Sequence, residues 1–98
     1  MFEDRGGIAK RNSTTRPALV WDEWNREHIK KHKVTEDEVE EAYANEFGRS
    51  DSYQYRQAIY GRTRTGRLIT IAVSYKKQTD PYIVSARSMS KAERRKYL

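Results

Sequence analysis

The sequence predicts a small α+β protein in which helices pack against an antiparallel sheet. Two capping boxes mark the starts of helices: Thr35 with Glu38, and Ser90 with Glu93. Across residues 53–87, side chains alternate with a period of two, which is typical of strands. A chain of 98 residues without cysteine fits a single domain that contains no disulfide.

The N-terminal part of the chain begins without an apolar period. Residues 1–16 are mostly polar, so we expect a flexible arm there and a single domain over residues 17–98. The apolar run at residues 18–21 favours a short first strand. Asp22 then offers a carboxylate that can cap a first helix over residues 22–33.

The second predicted helix has the strongest start signal. It begins at the capping box of Thr35, and Gly48 is a suitable residue to end it. Its buried stripe is expected to contain Val39, Ala42, Tyr43 and Phe47.

The C-terminal half is predicted to form a sheet followed by one helix. Three strands are expected over residues 53–62, 67–75 and 82–87, separated by two turns. A short basic helix then extends from Ser90 to Leu98. The predicted order of elements is therefore β-α-α-β-β-β-α.

The net charge of +6 is distributed unevenly along the chain. Residues 52–98 contain eleven Lys or Arg and two Asp or Glu, whereas residues 35–51 contain one and seven. A basic C-terminal half favours a polyanionic partner such as RNA, and a well-solvated basic surface is the alternative. Because no apolar run approaches a membrane span and the N-terminus does not resemble a signal peptide, we expect a cytoplasmic protein.

Three groups of residues, taken in order, resemble one known family. They are Trp21-Asp22-x-x-Asn25-x-x-His28-Ile29-x-x-His32-x-Val34, then Gly61-Arg62-Thr63 with Gly66-Arg67-Leu68, and finally Ser85-Ala86-Arg87 ahead of Glu93-Arg94-Arg95-x-Tyr97. This arrangement resembles the BrnT toxins of type II toxin–antitoxin pairs, and the resemblance covers residues 18–98. Many members have Gly after the last His of the first group and Phe shortly afterwards, where this chain has Lys33 and Glu36.

The resemblance implies a RelE-like ribonuclease fold and arrest of translation through RNA cleavage. It also implies a tight complex with a DNA-binding, BrnA-like antitoxin that represses the shared operon. A ribosome as partner, and a homodimer or a toxin–antitoxin hetero-oligomer, are compatible with it.

Metal-independent RNA cleavage requires a group that moves protons and a cation at the phosphate. His32 is the predicted general base or acid, because imidazole exchanges its proton near neutral pH. A helix-end histidine bonded to backbone is the alternative. Arg87 is the second predicted catalytic residue, because a guanidinium binds phosphate in bidentate fashion. A structural ion pair with a carboxylate is the alternative for Arg87.

Four further residues are predicted to contact RNA: Lys31, Arg62, Arg67 and Tyr60. The cations would hold phosphates and the tyrosine would stack on a base, whereas a solvated hairpin and packing within the sheet are the alternatives. His28 and His32 have the spacing of metal ligands on a helix. Because no obvious third ligand follows, we expect neither a metal nor a cofactor.

Two other functions remain open at this point. One is a non-catalytic module that binds RNA or ribosomes through the same basic residues. The other is an inactive toxin homologue whose role is to bind an antitoxin.

Overall fold

A computed structural model describes residues 16–98 of the chain. The predicted arm lies outside the described residues except for Arg16, whose guanidinium donates to the main-chain oxygen of Tyr43 and to Glu46. The described elements are α1 (Glu23–His28), a 3-10 helix (Ile29–His32), α2 (Glu36–Ala44), β1 (Glu46–Asp51), β2 (Arg56–Arg62), β3 (Leu68–Ser74), β4 (Tyr82–Ser88) and α3 (Lys91–Tyr97). The prediction of a small α+β fold with an antiparallel sheet is confirmed. None of these helices is long and apolar enough to span a membrane.

The four strands form one antiparallel sheet in the order β1-β2-β3-β4. Residues that pair across an antiparallel sheet point to the same side. One side carries the paired residues Ile59, Ile71 and Ala86, which are fully buried in a core shared with α2. We call this side the helix face, because α1, the 3-10 helix and α2 pack on it.

The opposite side carries a second row of paired residues, Tyr60, Thr70 and Arg87. We call it the open face, because α3 alone covers it among the described elements. α3 contains no buried residue, so it lies on the sheet as a peripheral cover.

The predicted helix caps are confirmed. The Asp22 side chain accepts from the main-chain nitrogen of Asn25, and the Thr35 and Ser90 hydroxyls accept from the nitrogens three residues later. These bonds satisfy main-chain donors that a helix start leaves unpaired, and they depend only on neighbouring residues.

The predicted order of elements is wrong at two places. Residues 18–21 do not form a strand, since only Val20 makes an isolated parallel bridge with Tyr82. The second helix ends at Ala44 instead of Gly48, and residues 46–51 pair with β2 as an additional strand. Phe47 consequently leaves the predicted buried stripe and is 37% exposed. Main-chain pairing with β2 is a tertiary interaction that outweighs the local helical pattern.

Asn25 joins α1 to the sheet. Its side chain is fully buried, and its amide nitrogen donates to the main-chain oxygens of Val20 and Ile83 at 3.0 and 3.1 Å. Its amide oxygen accepts from the main-chain nitrogen of Asp22 at 2.9 Å. One polar side chain therefore closes the helix cap and holds α1 against β4.

Candidate functional site

Arg87 is the central cation of the open face. Its Nη1 and Nη2 atoms donate to the two carboxylate oxygens of Glu93 on α3, at 2.8 and 2.9 Å. The same Nη1 also donates to the main-chain oxygen of Ser88 at 3.1 Å. The side chain remains 41% exposed, so a ligand on the open face can reach it.

Glu93 organises this end of the open face. Its Oε1 accepts from Arg87, from the Thr70 hydroxyl at 2.9 Å and from the main-chain nitrogen of Ser90 at 2.9 Å. The bond from Arg87 is the main reason why the pKa of Glu93 falls to about 2. The same pair raises the pKa of Arg87, so both groups stay charged at neutral pH.

Tyr60 lies beneath α3. Its ring is 4% exposed and stacks on Tyr97, with centroids 4.3 Å apart, while its hydroxyl bonds with Ser50 at 3.0 Å. The predicted base-stacking surface of Tyr60 is therefore covered by α3 in this arrangement. Arg62 follows on the same face, with its guanidinium 5.7 Å from the ring centre of Phe47.

Arg67 is engaged on the helix face. Its Nη1 donates to the Lys33 main-chain oxygen at 2.8 Å and to both Glu38 oxygens at 3.1 and 3.2 Å. Its Nε and Nη2 donate to the Ser88 hydroxyl. These bonds tie the end of the 3-10 helix to α2 and β4, so the side chain has a structural role.

His32 and Lys31 lie on the 3-10 helix and are exposed. The 3-10 helix packs on the helix face, whereas Arg87 points to the open face. The structure therefore brings Arg87 together with Tyr60 and Thr70, and it does not bring His32 or Lys31 to them. His28 stacks on Trp24, with ring centroids 4.5 Å apart.

The sequence prediction missed a cavity at the other end of the open face. It has a volume of about 400 Å³ and is lined by three cations, Arg56, Lys76 and Lys77, and by two aromatic residues, Trp24 and Tyr82. The adjacent lysines in the turn between β3 and β4 were the available signal. Their meaning depended on the strand register, which brings Arg56 to the same end of the sheet.

Comparison of the chain with protein-family models, with curated proteins and with solved structures found no match.

Proposed function

We propose that this protein is the toxin of a type II toxin–antitoxin pair, similar to BrnT, and cleaves RNA without a metal ion. The RNA lies on the open face of a RelE-like fold in the cytoplasm, and a BrnA-like antitoxin blocks this activity. The observation that carries the proposal is Arg87, an accessible cation that Glu93 holds in a fixed position on the open face of the sheet.

Arg87 retains one edge for a phosphate. Glu93 occupies the edge formed by Nη1 and Nη2, while Nε makes no hydrogen bond within residues 16–98. The edge formed by Nε and Nη2 can therefore bind two phosphate oxygens in bidentate fashion. A cation fixed there stabilises the negative charge that develops on the phosphorane in the transition state.

The cleavage step is an intramolecular transesterification of the RNA. A base removes the proton of a 2′-hydroxyl, this oxygen forms a bond to the adjacent phosphorus, and the bond to the 5′-oxygen breaks as an acid protonates that oxygen. The products are a 2′,3′-cyclic phosphate and a 5′-hydroxyl. The sequence predicts His32 for the proton transfers, but His32 lies on the helix face, and the carboxylate beside Arg87 is that of Glu93.

The backbone conformation of Lys33 supports the resemblance to the BrnT family. This residue has a φ of 56°, a left-handed conformation in which glycine is favoured. This is the position at which many members of the BrnT family have Gly. The departure in sequence therefore retains the backbone conformation that glycine would adopt.

Incubation of purified, antitoxin-free protein with total RNA in EDTA tests the proposal. Wild type should cleave the RNA, and both Arg87→Ala and Arg87→Lys should lose at least about 100-fold in rate, because a point charge does not replace the bidentate contact. Arg64→Ala is the matched control, since Arg64 is an exposed partner of Glu41 outside the site. Unchanged cleavage by Arg87→Ala would remove Arg87 from the mechanism.

The same experiment includes two further variants that assign the base. Loss of cleavage in His32→Ala with retention in Glu93→Gln assigns the proton transfer to His32. The reverse result assigns it to Glu93 if hydrogen exchange of the α3 amides shows that α3 remains in place. If the RNA remains intact both alone and after translating ribosomes are added, the proposed ribonuclease activity is refuted.

A non-catalytic RNA- or ribosome-binding module is the second candidate. The paired state of Arg87 with Glu93 favours it, because such a pair also stabilises a fold without any reaction. RNA binding that is retained without cleavage, with or without ribosomes, would support this second function.

A further inference from the structure

We infer that the cavity at the end of the open face away from α3 is a second RNA subsite, which binds one unpaired nucleotide of a single strand. The inference rests on the proposed function for the identity of the ligand, which is RNA. It concerns binding at a separate place on the open face, so it can be measured on RNA that cannot be cleaved.

The cavity has an excess of positive charge. Arg56, Lys76 and Lys77 line it, and their side chains make no hydrogen bond or ion pair within residues 16–98. This distinguishes them from Arg67 and Arg87, whose guanidinium groups are paired with glutamates. Cations that have no protein partner are available to neutralise phosphates.

The single carboxylate in the cavity wall is already satisfied. Asp22 accepts from the main-chain nitrogen of Asn25 at 2.9 Å and from the Tyr82 hydroxyl at 2.7 Å. These two bonds lower the pKa of Asp22, so it remains an anion that is held by the helix cap. It offsets one of the three cations and leaves the site attractive to a phosphate.

Trp24 provides a surface for a base. Its side chain lines the cavity and is 54% exposed, while His28 stacks on one face of the indole at an angle of 13°. The histidine fixes the ring and leaves the opposite face for stacking. Base stacking on an aromatic ring requires an unpaired base, which favours a single strand over a duplex.

The turn that carries the two lysines is held by side-chain bonds. The Gln78 amide donates to the main-chain oxygens of Ser74 and Asp80, both at 3.1 Å. The main-chain nitrogen of Lys76 donates to the Ser74 hydroxyl at 3.2 Å. A turn held in this way presents its cations at small entropic cost when the ligand binds.

Between the cavity and Arg87, the surface of the sheet carries small side chains that leave room for a ligand. Between them lies a row of small residues, Ala58, Ala72 and Ser85, which pair across β2, β3 and β4. Arg56 and Tyr60 lie four residue steps apart along β2, which corresponds to about 13 Å. An extended single strand can lie over this row with one nucleotide in the cavity and a phosphate at Arg87. An acidic peptide would use the cations but would have no base for Trp24.

Fluorescence anisotropy with a labelled, 2′-O-methylated oligouridylate of twelve nucleotides tests the inference. This probe binds but lacks the hydroxyl needed for cleavage. Lys76→Gln/Lys77→Gln should weaken binding at low salt and reduce the slope of log affinity against log salt by about 1.4, since each phosphate contact on a single strand contributes about 0.7. Trp24→Ala should weaken binding about fivefold or more without changing the slope.

The matched control is Lys30→Gln/Lys33→Gln, which removes one exposed lysine from the 3-10 helix and one from its C-cap, on the other side of the sheet. It should change affinity less than about twofold. A 2′-O-methylated duplex should be insensitive to Trp24→Ala. Circular dichroism should be unchanged in all variants, because the substituted residues are exposed.

Wild-type affinity and salt slope in both cavity variants would overturn the inference, even if unmodified RNA is cleaved. A labelled oligoglutamate that binds as tightly as the RNA probe and loses affinity in Lys76→Gln/Lys77→Gln would overturn it in favour of an acidic peptide. Loss of probe binding in the cavity variants, together with absent cleavage of normal RNA, would retain the subsite and refute only the enzymatic function.

Discussion

Replacement of Glu93 by Gln should loosen α3 at neutral pH and have little effect in strong acid. The amide keeps the shape of the side chain and an oxygen that can accept from Thr70 and Ser90, but it removes the charge opposite Arg87. A pKa held at about 2 instead of 4.5 corresponds to at most about 3 kcal/mol. Because the Arg87 side chain is 41% exposed, water screens the pair, and we expect about 1–2 kcal/mol.

The pH dependence of this effect has a definite sign. Glu93 has a lowered pKa in the folded protein, so its stabilisation is present above about pH 5 and is lost as the pH falls towards 2. Urea unfolding and the hydrogen exchange of the α3 amides should therefore show a gap between wild type and Glu93→Gln at pH 7 that closes near pH 2.

Glu27→Gln is the control, since Glu27 forms an exposed pair with Lys30 in which the carboxylate side chain is 68% exposed. It should change stability by less than about 0.5 kcal/mol at pH 7. A gap between wild type and Glu93→Gln that stays constant from pH 7 to pH 2 would refute the assigned ion pair.

Three further variants test contacts and backbone conformation on the helix face, each read from its urea unfolding midpoint. Gly61→Ala should cost about 2 kcal/mol or more, because its Cβ would lie 1.8 Å from the main-chain oxygen of Ala42; wild-type stability would contradict this contact. Asn25→Asp should cost about 3 kcal/mol by removing the donor to two buried oxygens, whereas a neutral effect would exclude that role. Lys33→Gly should stabilise by about 0.5–1 kcal/mol, since φ is 56° there, and destabilisation would show that the lysine side chain contributes more than its backbone costs.

The strand prediction succeeded where the pattern was local. Residues 68–74 alternate clearly, and the structure has β3 over Leu68–Ser74. It failed at β1, because Phe47 and Gly48 fit both the end of a helix and a strand. Only the main-chain donors and acceptors of β2, which are far along the chain, decided between the two. The prediction of a strand at residues 18–21 failed for a similar reason, because Val20 alone forms a bridge to the sheet.

The candidate site could be predicted in its members but not in its arrangement. The sequence predicted Arg87 as a phosphate ligand and Glu93 as part of a capping box. That the same Glu93 carboxylate caps α3 and pairs with Arg87 depends on how α3 lies across the sheet. The position of His32 relative to Arg87 likewise depended on which side of β4 faces the helices.

Local sequence and composition specified the helix starts, the three C-terminal strands and the basic character of the second half. These properties follow from interactions between residues a few positions apart or from composition. Long-range packing set three other properties: the additional strand β1, the placement of Arg67 and Arg87 on opposite faces, and the proximity of Arg56 to Lys76 and Lys77. Those outcomes depend on strand register, in which a shift of one residue moves a side chain to the other side of the sheet.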